Sequence, residues 1–361
     1  MAQLCQVDPA HYDAQLAEKA ARLRQLLCWQ GDMRVYPSPP AHYRMRAEFR
    51  IWHEGDDTFY VMFPPQNPRN PVRIDRCPMA CEAIDSLMEP LRQAILLEPL
   101  LRHKLYQIDF LATQSGQMLV TLIYHKRLDE DWAACAQVLR DYLPIDHIIG
   151  RSRKQKWLLD QDFVIESVNV DGRLLRYQQI ENSFTQPNAA VASHMLTWAR
   201  RQAERIGGGD LLELYGGNGN FSIALSDRFA HIVMTEIAKT SIRSARFNVA
   251  LNNVANITVA RAPAEQVSSA LQQAGQLGPV ALAAYDFSTL LVDPPRAGLD
   301  DLTRAMARQF DWVIYISCNP ETLARDLADL SQTHQVETLA LFDQFPYTQH
   351  IESGVLLRKV A

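Results

Sequence analysis

The chain has 361 residues, 47% of them apolar and 21% charged. This suits a packed globular protein of about two domains and excludes a disordered chain, a collagen-like repeat and a disulfide scaffold. With 36 Lys and Arg against 41 Asp and Glu the net charge is −5, the wrong sign for bulk attraction to nucleic acid, so any such partner must be met by local patches.

No run approaches the ~20 apolar residues of a membrane span. The opening Met1-Ala2-Gln3-Leu4-Cys5-Gln6-Val7-Asp8 lacks the basic and then apolar segments of a secretory leader. Six cysteines at irregular spacing point to reduced thiols and a cytoplasmic setting. In chain order, residues 10–28 carry Leu16, Ala20, Leu23 and Leu27 at spacings of three and four, which predicts an amphipathic helix. Pro37-Ser38-Pro39-Pro40 breaks the chain. Residues 44–53 read as a strand, paired with 58–63 across Glu54-Gly55-Asp56-Asp57. A helix is expected over 80–97, a hairpin from 105–113 and 117–125 around Ser115-Gly116, and a helix over about 129–142. Cys77-x3-Cys81 lacks the second ligand pair of a zinc site, so no metal is expected there.

After about residue 185 short apolar strands alternate with helices. They comprise a helix over 188–205, Leu211–Leu214, a glycine-rich turn and helix, Ile232–Thr235, a helix over 237–252, Ile257–Ala260, Leu290–Val292 and Trp312–Ile316. That alternation predicts an α/β fold, a doubly wound Rossmann-like domain at the C-terminus, after an N-terminal α+β domain. The expected division is 1–180 and 181–361.

Leu211-Leu212-Glu213-Leu214-Tyr215-Gly216-Gly217-Asn218-Gly219-Asn220-Phe221 runs from an apolar strand through a glycine turn into a helix. It lacks the glycine spacing of the dinucleotide fingerprint and the Lys-Ser/Thr of a P-loop. Glu236, at the end of the next strand, is placed to accept ribose hydroxyls. A strand-end acid without phosphate-binding residues favours S-adenosylmethionine over NAD. Asp293-Pro294-Pro295-Arg296 stiffens another strand end. Cys318, in Ser317-Cys318-Asn319-Pro320, follows a third strand, where a thiolate suits attack on an electron-poor carbon. His350 and Glu352 alternate with Ile351, so an extended segment would turn both to one side, and either could remove a proton.

Taken together, these motifs resemble the RNA uridine-5-methyltransferases that use S-adenosylmethionine. The likeness runs from Phe184-Thr185-Gln186-Pro187-Asn188 through the glycine loop, Asp293-Pro294-Pro295-Arg296 and Ser317-Cys318-Asn319-Pro320 to His350-Ile351-Glu352. Within the family the chain is most similar to the bacterial tRNA branch, through residues 42–53, Glu181-Asn182-Ser183-Phe184 and Asp343-Gln344-Phe345-Pro346-Tyr347. One departure is Gly216, where a cysteine is common in the family. The leading RNA-binding barrel and iron–sulfur cysteines often found in the ribosomal-RNA branch are missing.

The resemblance implies methylation of C5 of the T-loop uridine (position 54) of tRNA through a covalent Cys318–uracil C6 adduct. It assigns Cys318 as nucleophile and Glu352 as base, and Gln186, Tyr215, Asn220, Glu236 and Asp293 to S-adenosylmethionine, with no metal and no iron–sulfur cluster. The implied partner is the tRNA T arm, with other RNAs carrying a T-like loop as further candidates, and with no membrane and no obligate protein partner. The alternatives are a ribosomal-RNA uridine-5-methyltransferase and a non-catalytic tRNA-folding protein. For RNA contact, Arg44, Arg46 and Arg50 alternate on one strand face, Arg151, Arg153, Lys154 and Lys156 form the densest basic cluster, and Tyr106, Phe110 and His125 could stack bases.

Overall fold

Buried apolar strands that alternate with helices can satisfy their backbone groups only in a covered sheet, and the carboxyl-terminal half forms one. The computed structural model describes residues 4–64, 67–273 and 275–360, so the first three residues of the stretch inspected for a leader lie outside it. Two compact units are present. The first comprises Met1–Tyr12, Pro39–Ser167 and Gln179–Ala189, and the second Asp13–Ser38, Val168–Gln178 and Ala190–Ala361.

The units are therefore interleaved, not the consecutive halves expected with a boundary at 180. The reason lies in the amphipathic helix. Its buried Leu23, with Leu16, Ala20 and Leu27, packs into the core formed by Leu212, Leu290, Val313 and Leu341, so residues 13–38 fold with sequence distant from them.

The second unit holds an eight-stranded sheet in the order Met33–Tyr36, His334–Phe342, Glu352–Lys359, Trp312–Ser317, Phe287–Val292, Asp210–Leu214, His231–Glu236, Ile257–Arg261. Every pair is parallel except those made by Glu352–Lys359, which runs antiparallel to both neighbours. The order reverses direction at the pair Asp210–Leu214 and Phe287–Val292, the crevice where open α/β sheets take ligands. Helices Ala189–Ile206, Lys239–Leu251 and Pro320–Leu330 match the expected alternation, and the doubly wound prediction holds.

The first unit is built on a seven-stranded sheet in the order Val72–Arg73, Asp57–Met62, Arg46–Glu54, Leu105–Ala112, Met118–Tyr124, His147–Ser152, Gln155–Leu158. Only Met118–Tyr124 and His147–Ser152 pair in parallel, and helix Glu130–Tyr142 lies between them in sequence. Phe49, Ile51, Ile108, Phe110, Val120 and Leu122 join residues of helix Glu82–Leu97 in one core. The alternation along Arg46–Glu54 then leaves Glu48 and Trp52 exposed, with Arg46 and Arg50 half-buried.

Among the described residues no helix is long and apolar enough to cross a membrane. Cys5 and Cys77 are joined by a disulfide, which corrects the expectation that all six thiols stand reduced. Residues 72 positions apart meet here within the first unit's buried core, a proximity no sequence spacing announces.

Candidate active site

The carboxyl edge of the second unit's sheet collects most of the residues singled out in the sequence. Leu214 pairs with Val292 and Val292 with Tyr315, so the glycine loop, Asp293 and Cys318 leave neighbouring strands at one edge. Glu352 arrives there by a different route. Its strand runs opposite to the others, with Ser353 paired to Ser317, so its first residue lies where the parallel strands end.

In the glycine loop, Tyr215, Gly217 and Gly219 have φ of 59°, 54° and 84°, and a Cβ on Gly217 would meet nothing within 4 Å. That leaves backbone open to close approach by a ligand. Asn220 opens the helix Asn220–Leu225, and its carbonyl accepts from the Tyr177 hydroxyl at 3.1 Å. Gly216 explains the departure from the family's usual cysteine: a Cβ there would lie 2.5 Å from Cγ of Met234. Met234 fills the space a cysteine side chain would take.

Glu236 ends its strand half-buried, and its carboxylate accepts from the N–H groups of Gly217, Ile237 and Ala238 at 3.0, 2.7 and 2.8 Å. A carboxylate offers about four acceptor positions, so accepting two ribose hydroxyls requires one of these backbone bonds to be given up. Gln186 lies half-buried in the 179–189 segment, which belongs to the first unit; the other proposed cofactor residues all belong to the second.

The loops carrying Asp293 and Cys318 are tied together. Asn319 Nδ2 and Thr322 Oγ1 donate to the Arg296 carbonyl at 2.9 and 3.2 Å. Asn319 also caps helix Pro320–Leu330 by accepting from Glu321 N–H at 3.1 Å. The Ser317 hydroxyl accepts from Asn319 N–H at 3.2 Å. This fixes the turn on which the thiol stands.

Electrostatics around that thiol are strongly perturbed. Burial, and then the carboxylates of Glu352 and Asp293, push the Cys318 thiol up to about 11, while Arg296 pulls it down. Glu352 is 4% exposed, and burial followed by the Asp293 charge lifts it well above the usual carboxylate range, again opposed by Arg296. Burial likewise raises Asp293. A thiol and two acids whose ordinary ionisation is disturbed make this edge of the sheet the candidate site.

His350 separates from Glu352. The strand begins only at Glu352, and His350 is exposed in the preceding loop, where burial and the charges of Arg296 and Lys19 lower it. The alternation that would have placed both on one side of an extended segment does not extend that far.

Two site residues escaped the sequence reading. Arg296 figured there only as part of a proline-stiffened motif. Glu213 is buried behind the loop, where its carboxyl accepts from the Ser222 hydroxyl and burial pushes it up to about 8. An acid within an otherwise apolar strand was the available signal.

The RNA-contact expectations are sorted by the same measures. Phe110 is 1% exposed and belongs to the core, so it cannot stack a base. Tyr106 is half-buried and His125 exposed, with their rings 4.1 Å apart, and the Arg50 guanidinium lies 3.8 Å from the Tyr106 ring centre. In the basic cluster, Arg151 forms two 2.6 Å bonds to Glu181, and Lys156 pairs with Asp162 at 2.6 Å. Arg153 and Lys154 are exposed at the turn. Among the described residues no group of His, Cys, Asp and Glu is arranged to hold a metal ion.

Residues 11–360 match the family model described as tRNA (Uracil-5-)-methyltransferase. A tRNA/tmRNA (uracil-C(5))-methyltransferase of Marinomonas sp. is 49% identical over 99% of both chains. One from Sodalis glossinidius is 51% identical over 97% of this chain and 96% of its own, and one from Escherichia fergusonii is 49% identical over 96% of each. The crystal structure of Pyrococcus abyssi tRNA (uracil-54, C5)-methyltransferase in complex with S-adenosyl-L-homocysteine superposes with a TM-score of 0.75. It shares 24% identity and covers 96% of this chain and 83% of its own, a likeness of fold.

Proposed function

The chain belongs to the tRNA (uracil-5-)-methyltransferase family, and we propose that it methylates C5 of the T-loop uridine of tRNA at position 54, with Cys318 as nucleophile and Glu352 as base. The observation that carries this reading is the meeting of a perturbed thiol with two perturbed carboxyls at the carboxyl edge of the sheet.

S-adenosylmethionine fits the residues present: the glycine loop leaves open backbone at Gly217, and half-buried carboxylates end the strands at Glu236 and Asp293. Tyr215, Asn220, Glu236 and Asp293 would hold it. When bound, it would supply the electrophilic methyl group that C5 takes up, the sulfonium S–CH3 bond breaking to leave S-adenosyl-L-homocysteine.

Uracil C5 is a weak nucleophile until the ring's conjugation is interrupted. Addition of the Cys318 thiolate to C6 forms the S–C6 bond, moves the C5=C6 electron pair toward O4, and leaves C5 enolate-like. After the new C–C bond forms at C5, the Glu352 carboxylate takes the C5 proton. The freed electron pair restores C5=C6, the S–C6 bond breaks, and the thiolate returns. A carboxylate lifted above its usual range is the stronger base for that step. Arg296 favours the thiolate, since its positive charge opposes the rise caused by the two acids.

The first unit is the RNA-recognition part in this reading, and the second carries the chemistry. Extruding a stacked uridine costs a few kcal/mol. Base stacking on the Tyr106–His125 cluster beside Arg50 and contacts from Arg153 and Lys154 offset that cost.

The test is turnover of unmodified tRNA with labelled methyl donor, followed by location of 5-methyluridine. Cys318→Ala should abolish both methylation and the denaturation-resistant RNA adduct, and Glu352→Gln should accumulate a methylated adduct. Turnover by Cys318→Ala, or ordinary product release by Glu352→Gln, overturns the assignment. Methyl transfer to ribosomal RNA alone overturns the substrate.

A further inference from the structure

The helix Tyr12–Leu26 has a second ordered row beside its apolar stripe. Gln15, Lys19 and Arg22 are spaced four and three apart, so they share one side of the helix. Each grips a different point of the segment between strands His334–Phe342 and Glu352–Lys359. Lys19 Nζ donates to Asp343 Oδ1 at 2.7 Å and to the Phe345 carbonyl at 2.8 Å. The Tyr347 N–H donates to Gln15 Oε1 at 2.7 Å. Arg22 Nη1 donates to the Gln349 carbonyl at 3.1 Å, and Nη2 pairs with Glu321, three residues beyond Cys318.

The helix thus holds positions 343, 345, 347 and 349, every second residue of the approach to Glu352. The following strand reinforces the hold. Met33–Tyr36 lies parallel to His334–Phe342, and Asp343 N–H donates to the Tyr36 carbonyl at 3.0 Å.

Two features set this contact apart from ordinary packing. Lys19 and Asp343 are 5% and 1% exposed, and a buried ion pair returns little net stability, because desolvation offsets the attraction. Tyr347 has φ of 61°, a conformation disfavoured for a bulky side chain that persists only where its surroundings hold it.

We propose that this helix is the positioning element for the general base: the Gln15–Lys19–Arg22 row sets the path of residues 343–349 and so the place of the Glu352 carboxylate against Cys318. The proposal rests on the reading of Glu352 as the base that releases the adduct. Gln15, Lys19 and Arg22 act through the backbone and Asp343, and are positioning residues. Loosening them should impair the step in which the C5 proton leaves and the S–C6 bond breaks, more than the addition that precedes it.

The experiment uses the full chain with unmodified tRNA. Lys19→Met should lower kcat by ~10- to 100-fold, the scale of an ångström's misplacement of a reacting group. It should raise the steady-state fraction of denaturation-resistant adduct, while affinity for S-adenosyl-L-homocysteine and KM for tRNA stay within about twofold. Lys19→Arg, which keeps donors for Asp343 and the Phe345 carbonyl, should recover part of the rate.

Because Lys19→Met removes the buried cation beside Asp343, Gln15→Ala combined with Arg22→Ala serves as the second variant. It removes two holds without burying an uncompensated charge, and should show the same adduct accumulation more weakly. Either folded variant turning over normally without accumulating adduct overturns the proposal. So does a rate loss that merely tracks loss of S-adenosyl-L-homocysteine binding and of adduct formation. Glu352→Gln is run alongside: if it too fails to accumulate adduct, the assignment of the base has failed, not the positioning role.

Discussion

Replacing Glu213 by Gln should stabilise the protein at neutral pH and flatten its pH dependence. Glu213 stands in the strand leading to the glycine loop, 1% exposed, its carboxyl accepting from Ser222 in the helix that follows the loop. Burial lifts its pKa from the usual 4.5 to about 8, and the Asp293 and Glu236 charges add to the rise. Between those two values the folded chain keeps the proton and the unfolded chain has lost it. The folded state therefore binds more protons, and stability falls as pH rises through that window.

At about 1.4 kcal/mol per pH unit, the loss from the unfolded value to pH 7 is ~3 kcal/mol. A glutamine has the same shape, retains an acceptor for Ser222 and does not titrate. Urea unfolding of wild type and Glu213→Gln at pH 5 and pH 7.5 tests this. The variant's advantage should grow with pH, by about 3 kcal/mol across the interval. Equal slopes for the two proteins would show that Glu213 ionises normally, and would refute the reasoning from burial.

Arg296→Gln should move the pH midpoint of Cys318 alkylation upward and Glu352→Gln should move it downward, each by roughly one pH unit. The first removes the cation that favours the thiolate, the second an anion that opposes it. Iodoacetamide labelling, with the signal of Cys318→Ala subtracted as the contribution of the other thiols, reads both. Arg153→Glu with Lys154→Glu should weaken tRNA binding and reduce the slope of log affinity against log salt by about 0.7–0.9 for each phosphate that is no longer neutralised, measured by filter binding over a salt series. Arg151→Ala should instead destabilise the fold, by about 2 kcal/mol in chemical denaturation, because it removes both bonds to buried Glu181.

The chemistry was legible in the chain wherever a local signal was complete. An apolar strand, a glycine turn and a helix announced the candidate cofactor edge, and a cysteine after Tyr315-Ile316-Ser317 announced the proposed nucleophile. Phe110 and Arg151 show why the RNA face was less readable. An aromatic or an arginine on a strand has the same letter whether it faces the core, a buried glutamate or solvent. Only the neighbouring strands and Glu181, thirty positions from Arg151, decide among them.

What the sequence determined by itself was the alternation of elements and, through its motifs, the family, and those motifs also picked out the candidate reactive groups. Each of these depends on residues close together in the chain. The tertiary structure decided which carboxyl meets the thiol, since Glu352 reaches Cys318 only because its strand runs against the rest of the sheet. It also decided that the opening helix belongs with the last loop. Lys19 and Asp343 lie 324 positions apart, and a buried pairing at that separation is set by how the sheet closes, not by any local preference of the chain.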